Sequence, residues 1–170
     1  MPIQRLNHAV LYVRDAERTA TFYREVLGFR PVHETPGAVF LQAPGSTNDH
    51  DLGVFSIGEG AGPTAAGRTS VGLYHLAWEV DTLDELERIA RALVDAGALV
   101  GASDHGTSKS LYAKDPDGIE LEVAWLVPAD ALEPSDKMHS RPMPLDLAAA
   151  KARYGSETLG GVGISTPAPA

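Results

Sequence analysis

Apolar and polar residues alternate over residues 6–13, in a run rich in Val, Leu and Tyr that predicts a β-strand. The two-residue period places His8, Val10 and Tyr12 on one face and Ala9, Leu11 and Val13 on the other. Asp15 then reads as an N-cap, Ala20, Tyr23, Val26 and Leu27 fall at helical spacing, and Gly28 is a helix stop. A helix is therefore predicted over 16–27. Strands are predicted at 30–34, 39–43 and 52–57, with Pro36-Gly37 and Pro44-Gly45 as turns. The Gly-, Ala- and Pro-rich stretch 58–67 reads as a linker.

The pattern then returns. A strand over 71–80 carries His75, Asp81 or Thr82 starts a helix over 83–96, Gly97 ends it, and strands follow at 99–102, 110–113 and 119–126. His8 and His75 stand 67 residues apart, and the same offset carries Phe55 onto Glu122. An internal repeat constrains architecture more than any single motif. The expected fold class is α+β, built from two βαβββ modules at 1–58 and 71–127, a linker at 59–70, and a Pro/Gly-rich extension at 128–170. A short helix around 145–154 and a mobile, low-complexity tail from Gly155 are expected within that extension. If each helix covers one sheet face, the opposite faces enclose a shared cavity. His8, His75 and Glu122 would face it, with Val10, Tyr12, Phe40 and Ala77 as apolar lining. Leu76, Trp78, Val80, Leu121, Val123 and Trp125 would lie under the helices.

Composition narrows the function classes. At 170 residues with 44% hydrophobic side chains, the chain builds an ordinary interior. A formal net charge of −9 argues against nucleic acid or an anionic membrane as a partner. The absence of cysteine excludes disulfides, thiolate metal sites and cysteine nucleophiles. The first residues lack the layout of a signal peptide, and no run approaches a membrane span, so a soluble, cytoplasmic protein is expected.

The chemistry converges on HGTSKSLYAKDPDGIELE, from His105 to Glu122. Asp115-Pro116-Asp117-Gly118 is turn chemistry between two short apolar runs, which predicts a hairpin. Strand parity then sets Glu120, Glu122 and Ala124 opposite Leu121, Val123 and Trp125. A lone strand glutamate is usually solvated, and a lone core histidine is usually hydrogen-bonded rather than a ligand. The repeat, the parity and the third residue together favour His8, His75 and Glu122 as three ligands of one divalent metal. Two imidazoles and one carboxylate in facial arrangement leave positions open, which suits non-haem Fe(II).

With those residues, the run 6–126 resembles the vicinal oxygen chelate superfamily, and within it the type I extradiol ring-cleaving dioxygenases. Their motif is a histidine, then an apolar residue and tyrosine, then an acidic residue, proline, any residue and glycine, with a glutamate shortly after. Here it reads His105, Leu111-Tyr112, Asp115-Pro116-Asp117-Gly118 and Glu122, with Ser103 a mild departure from the residues the family prefers there. The resemblance implies two βαβββ modules forming a half-barrel cavity, Fe(II) as cofactor with Mn(II) as the alternative, and a catechol-type diol and O2 as substrates. It implies His8, His75 and Glu122 as metal ligands, His50 as acid–base histidine, and His105 and Tyr112 as hydrogen-bonding partners of the bound diolate. A neutral imidazole is a suitable base for a diol that must lose protons to chelate. Most extradiol enzymes of this type carry a further pair of modules, so a homo-oligomer, dimer or higher, is the expected assembly.

Three rivals share the fold. A glyoxalase-like isomerase or lyase takes a fourth ligand from the first module's last strand, where the offset points to Phe55. A thiol transferase has no need of a catecholate clamp, and a metal-free drug-binding protein has no need of three ligands. His33 and His139 are read as surface residues, and Glu79 and Glu120 are assigned no role.

Overall fold

The computed structural model describes residues 2–3, 5–65, 69–133, 136 and 141–161. Gly67 of the expected linker, His139, and residues 162–170 of the expected tail lie outside the described residues. The chain divides into two units, Met1–Gly72 with Asp115–Ile119, and Leu73–Lys114 with Glu120–Ala170.

The first unit opens with β1 (Ala9–Val13), shorter than expected, so that His8 stands just before the strand. Leu11 and Val13 are buried while Val10 and Tyr12 are exposed, which is the expected parity. Helix α1 (Ala16–Leu27) starts where Asp15 accepts from the Glu17 and Arg18 amides, and stops at Gly28 with φ +76°. Tyr23, Val26 and Leu27 turn inward against Val39 and Leu41 of β3 (Ala38–Gln42) and Leu52 and Val54 of β4 (Leu52–Ser56). Strand β2 (Arg30–Thr35) completes a sheet of order β1-β4-β3-β2 in which β1 and β4 are parallel. Thr35 pairs with Ala38 across Pro36-Gly37, where Gly37 takes φ +81°.

The second unit repeats the plan. Strand β5 (His75–Val80) leads to α2 (Leu83–Asp95), capped by Thr82, and then to β6 (Leu99–Asp104), β7 (Ser108–Lys114) and β8 (Glu120–Leu126). Strand β8 alternates as expected, with Leu121, Val123 and Trp125 buried and Glu120, Glu122 and Ala124 half-buried. The buried set meets Leu83, Leu86, Ile89 and Leu93 of α2, and β5 runs parallel to β8. Both units carry a bulge in the corresponding strand, at Val32 in β2 and at Val100 in β6.

A short strand β9 (Met143–Pro144) pairs with β6, giving the order β5-β8-β7-β6-β9. Helix α3 (Leu147–Tyr154) follows, starting at the Asp146 cap and fastened by Lys151, whose Nζ lies 2.6 Å from both Asp84 and Glu87. The low-complexity tail begins with packed residues. Trp125 Nε1 donates to Asp81 O and Thr158 O, each at 3.2 Å, and Gly160 N donates to Asp81 O at 2.7 Å. A Cβ at Gly160 would overlap Leu126 O and the Trp125 indole, so glycine is what lets the backbone approach this closely.

Candidate metal centre and its neighbours

In the second unit four site residues form one chain of contacts, three of them placed by ladder register and His105 by the turn between β6 and β7. Tyr112 pairs with Glu122 between β7 and β8, and Glu122 pairs with Ala77, two residues along β5 from His75. Those three positions therefore share a sheet face. His75 Nε2 lies 3.0 Å from Glu122 Oε2. The Tyr112 hydroxyl donates to the other carboxylate oxygen, Oε1, at 3.3 Å, and His105 Nε2 lies 2.9 Å from the same hydroxyl. A phenol has one proton to give. With it directed at Glu122, His105 must donate Nε2–H to Tyr112, which fixes the tautomer of His105. Burial first, and then the Glu122 charge, push the Tyr112 phenol up to about 12, so it remains a donor at neutral pH. The Tyr74 ring, which sequence reasoning missed, lies 4.6 Å from that of His75.

The first unit holds the other two predicted residues. His8 is exposed, its Nδ1 lies 2.7 Å from Asn7 Oδ1, and its ring lies 4.4 Å from that of His50. His50 precedes β4, outside the ladder, as its parity requires. It is not an exposed turn residue: its side chain is 17% exposed and meets the Phe40 edge at 5.2 Å. Asp49 carries the neighbouring charge, 3.1 Å from His50 Nδ1, and the His50 backbone hydrogen bond holds that carboxyl below its usual range. The loop is built on buried Asp51, which accepts from Ala43 N, Ser46 Oγ and Asn48 Nδ2 at 2.7–2.8 Å. Asn48 Nδ2 also donates to Asn7 O at 2.8 Å, tying the His50 loop to the residue before His8. His33 is exposed, as expected.

Register corrects one expectation. In the first unit Val10 pairs with Gly53 and Phe40 pairs with Gly53; in the second Ala77 and Tyr112 pair with Glu122. Glu122 therefore corresponds to Gly53, and Phe55 corresponds to Ala124. The conclusion about a fourth ligand stands on different ground, because glycine offers no donor. The space beside Gly53 is occupied by the Phe40 and Phe55 rings, which meet edge to face at 5.6 Å and stand 3.5–3.6 Å from where a Cβ would be.

Among the described residues, no group of three or more His, Asp or Glu side chains that could hold a metal ion lies within either unit. The pair in the second unit nevertheless has the chemistry a divalent metal takes. Two ligands at ~2.1 Å in adjacent positions on one ion stand about 3 Å apart. That matches the separation of His75 Nε2 and Glu122 Oε2. Tyr112 occupies Oε1, so that the other carboxylate oxygen, Oε2, is the one that faces His75. His75 Nδ1 is buried without a hydrogen-bond partner, so Nε2 is the ring's only engaged nitrogen.

The Glyoxalase/Bleomycin resistance protein/Dioxygenase superfamily model matches residues 5–123. The chain belongs to that superfamily. It is 33% identical over 136 residues to biphenyl-2,3-diol 1,2-dioxygenase 3 of Rhodococcus globerulus, covering 79% of this chain and 70% of that protein. Catechol-2,3-dioxygenase of Bacillus subtilis is also 33% identical, over 69% of this chain. An iron-dependent extradiol dioxygenase of Rhodococcus jostii is 30% identical over 70% of it. The chain spans 40% and 42% of the lengths of those two proteins. Among solved structures, a superfamily domain from Frankia sp. EAN1pec superposes with a TM-score of 0.61 at 23% identity, covering 72% of this chain and 92% of that one. Lactoylglutathione lyase from Agrobacterium tumefaciens gives 0.54 at 24%, covering 73% and 95%. The superfamily fold is thus common to proteins with different reactions. No described helix is long and apolar enough to cross a membrane.

Proposed function

We propose that this superfamily member is an extradiol dioxygenase, binding Fe(II), or Mn(II) in its place, and cleaving a catechol-type ring with O2. The observation that carries the proposal is the contact chain His75–Glu122–Tyr112–His105. A simple structural carboxylate would need only one of these partners. Here the carboxylate is shared between a candidate ligand and a phenol, and the phenol is held in turn by an imidazole. The similarity to proteins named as ring-cleaving dioxygenases supports the same reading.

His75 and Glu122 would hold the metal, with His8 as the third ligand. Bound there, the ion would bring diol and O2 together and supply the redox chemistry of inserting both oxygen atoms beside the diol. His50, half-buried between His8 and Phe40, is the base that takes a diol proton. Tyr112 keeps its proton and donates it as a hydrogen bond to a substrate oxygen that approaches in place of Glu122 Oε1. His105 fixes the orientation of that hydroxyl and stands ready to donate as negative charge develops on oxygen. Phe40 and Phe55 fill the place of a fourth ligand with rings, giving an apolar surface for an aromatic substrate. A homo-oligomer, dimer or higher, in the cytoplasm remains part of the proposal.

The test is anaerobic loading with Fe(II), followed by O2 and a panel of simple, alkyl and aryl catechols. Yellow ring-fission product formed with stoichiometric O2 uptake is expected. Its absence across the panel in iron-loaded protein would overturn the reading.

A further inference from the structure

His105 sits in the turn between β6 and β7, and that turn is braced by residues the superfamily match does not reach. The match ends at residue 123, whereas β9 and α3 follow it. Two features of the C-terminal segment converge on the turn. Strand β9 adds to the sheet beside His105, with Pro144 pairing with Ser103 and Met143 with Asp104. Tyr154, at the end of α3, places its ring 5.4 Å from Lys109 Nζ and 5.5 Å from the Trp125 ring.

Lys109 is the pivot. It is 3% exposed, rare for a lysine without a structural task. Its Nζ donates to Asp104 Oδ1 at 2.6 Å and to Gly106 O at 3.1 Å, on either side of His105. Asp104 Oδ1 also accepts from Gly106 N at 2.7 Å, and His105 N donates to Ser108 O at 3.0 Å to close the turn. The imidazole is therefore presented to Tyr112 from a turn in which one buried cation ties the Asp104 side chain to the Gly106 carbonyl, while the His105–Ser108 backbone bond closes it.

We infer that Lys109 is a positioning residue for His105, and that β9 and Tyr154 make the C-terminal segment a brace for that turn. The catalytic consequence rests on the proposed dioxygenase reading; the positioning itself does not. The brace acts on the orientation of the His105–Tyr112 pair, not on metal binding or on contact with the substrate ring.

The test uses the full-length chain and the variants Lys109→Met, Lys109→Arg and Tyr154→Leu. Long-range 15N–1H spectra of the metal-free protein, with His105 assigned from His105→Gln, report the tautomer of its ring. The wild type should show a single Nε2–H form. Lys109→Met should convert it to a mixture, and Lys109→Arg should restore most of the single form. In iron-loaded protein, Lys109→Met should lower kcat at least tenfold, with KM for a catechol and iron content within about twofold of wild type. Tyr154→Leu keeps apolar volume against Trp125 but removes the ring beside Lys109, and should shift both readouts in the same direction by a smaller factor. It also serves if Lys109→Met fails to fold. Variants that lower only the melting temperature, with the His105 spectrum unchanged, would overturn the inference. A wild type that holds the single tautomer yet cleaves no catechol would instead overturn the dioxygenase reading and leave the positioning intact.

Discussion

Tyr112 stands between a carboxylate and an imidazole, and its single proton can satisfy only one of them. The proton goes to Glu122, because a carboxylate accepts and cannot donate, while an imidazole can do either. Tyr112→Phe removes this donor without touching the atoms proposed to bind metal. Metal content should be retained and kcat should fall about 10²-fold, the lower range for losing a positioned proton donor. His75→Ala should instead abolish metal binding, checked by metal analysis after gel filtration. Equal metal loss in the two variants would mean that Tyr112 is also needed to hold the metal, contrary to its proposed role as a hydrogen-bond donor. Position 53 gives a separate check on register. Gly53→Ala places a methyl in ordinary contact with Phe40 and Phe55, so its melting temperature should stay close to that of wild type. A large loss would show that the rings are packed more tightly against β4 than these distances indicate.

Elements show how much of the fold the sequence expressed. Helix α1 matches its expected bounds, because Asp15 and Gly28 are local signals that act within one turn. Strand parity in β1 and β8 was equally legible, since period two needs no knowledge of partners. Register was not legible. The offset is 67 from Val13 to Val80 but 69 from Gly28 to Gly97, because α2 and its cap run longer than their counterparts. Hence Glu122 answers to Gly53 and not to Phe55. The contact chain through Tyr112 was hidden for the same reason, as it depends on which residues of β7 and β8 lie opposite each other. The packing of residues 155–161 was hidden because a Gly-rich segment carries no periodic signal, and Gly160 works through the Cβ it lacks.

The turn after β7 yields a pH prediction at the same scale. Asp115 Oδ1 accepts from the Asp117 and Ile119 amides at 2.9 and 2.8 Å, while Oδ2 is buried without a partner. Desolvation outweighs these donors and raises the folded-state pKa of Asp115. A carboxyl raised on folding contributes stability below its ordinary pKa and loses it as pH rises through the folded value. Asp115→Asn keeps both backbone bonds and removes the charge. Its melting temperature relative to wild type should therefore increase from pH 3.5 to pH 7, and parallel curves would contradict the burial argument.

At the scale of the molecule, each unit is a complete βαβββ fold with its own core, yet each holds only part of the predicted ligand set. His8 lies in one, and His75 with Glu122 in the other. An ion that binds only the folded protein should raise its stability. A divalent ion present at a hundredfold excess over its Kd stabilises the native state by about 2.7 kcal/mol. Differential scanning calorimetry with anaerobic Fe(II) should show unfolding moving to higher temperature. The shift should vanish in His8→Ala as fully as in His75→Ala. A shift that survives His8→Ala would place the third ligand elsewhere.

The most direct test of the central claim is a single turnover of the Fe(II)-loaded protein with a catechol under 18O2, read by mass spectrometry of the product. Ring cleavage beside the diol with both oxygen atoms incorporated predicts a product heavier by the mass of two 18O atoms, before any exchange with water. A product formed without label, or substrate rearranged with O2 unconsumed, would contradict the account and assign this chain to a different reaction on the same fold.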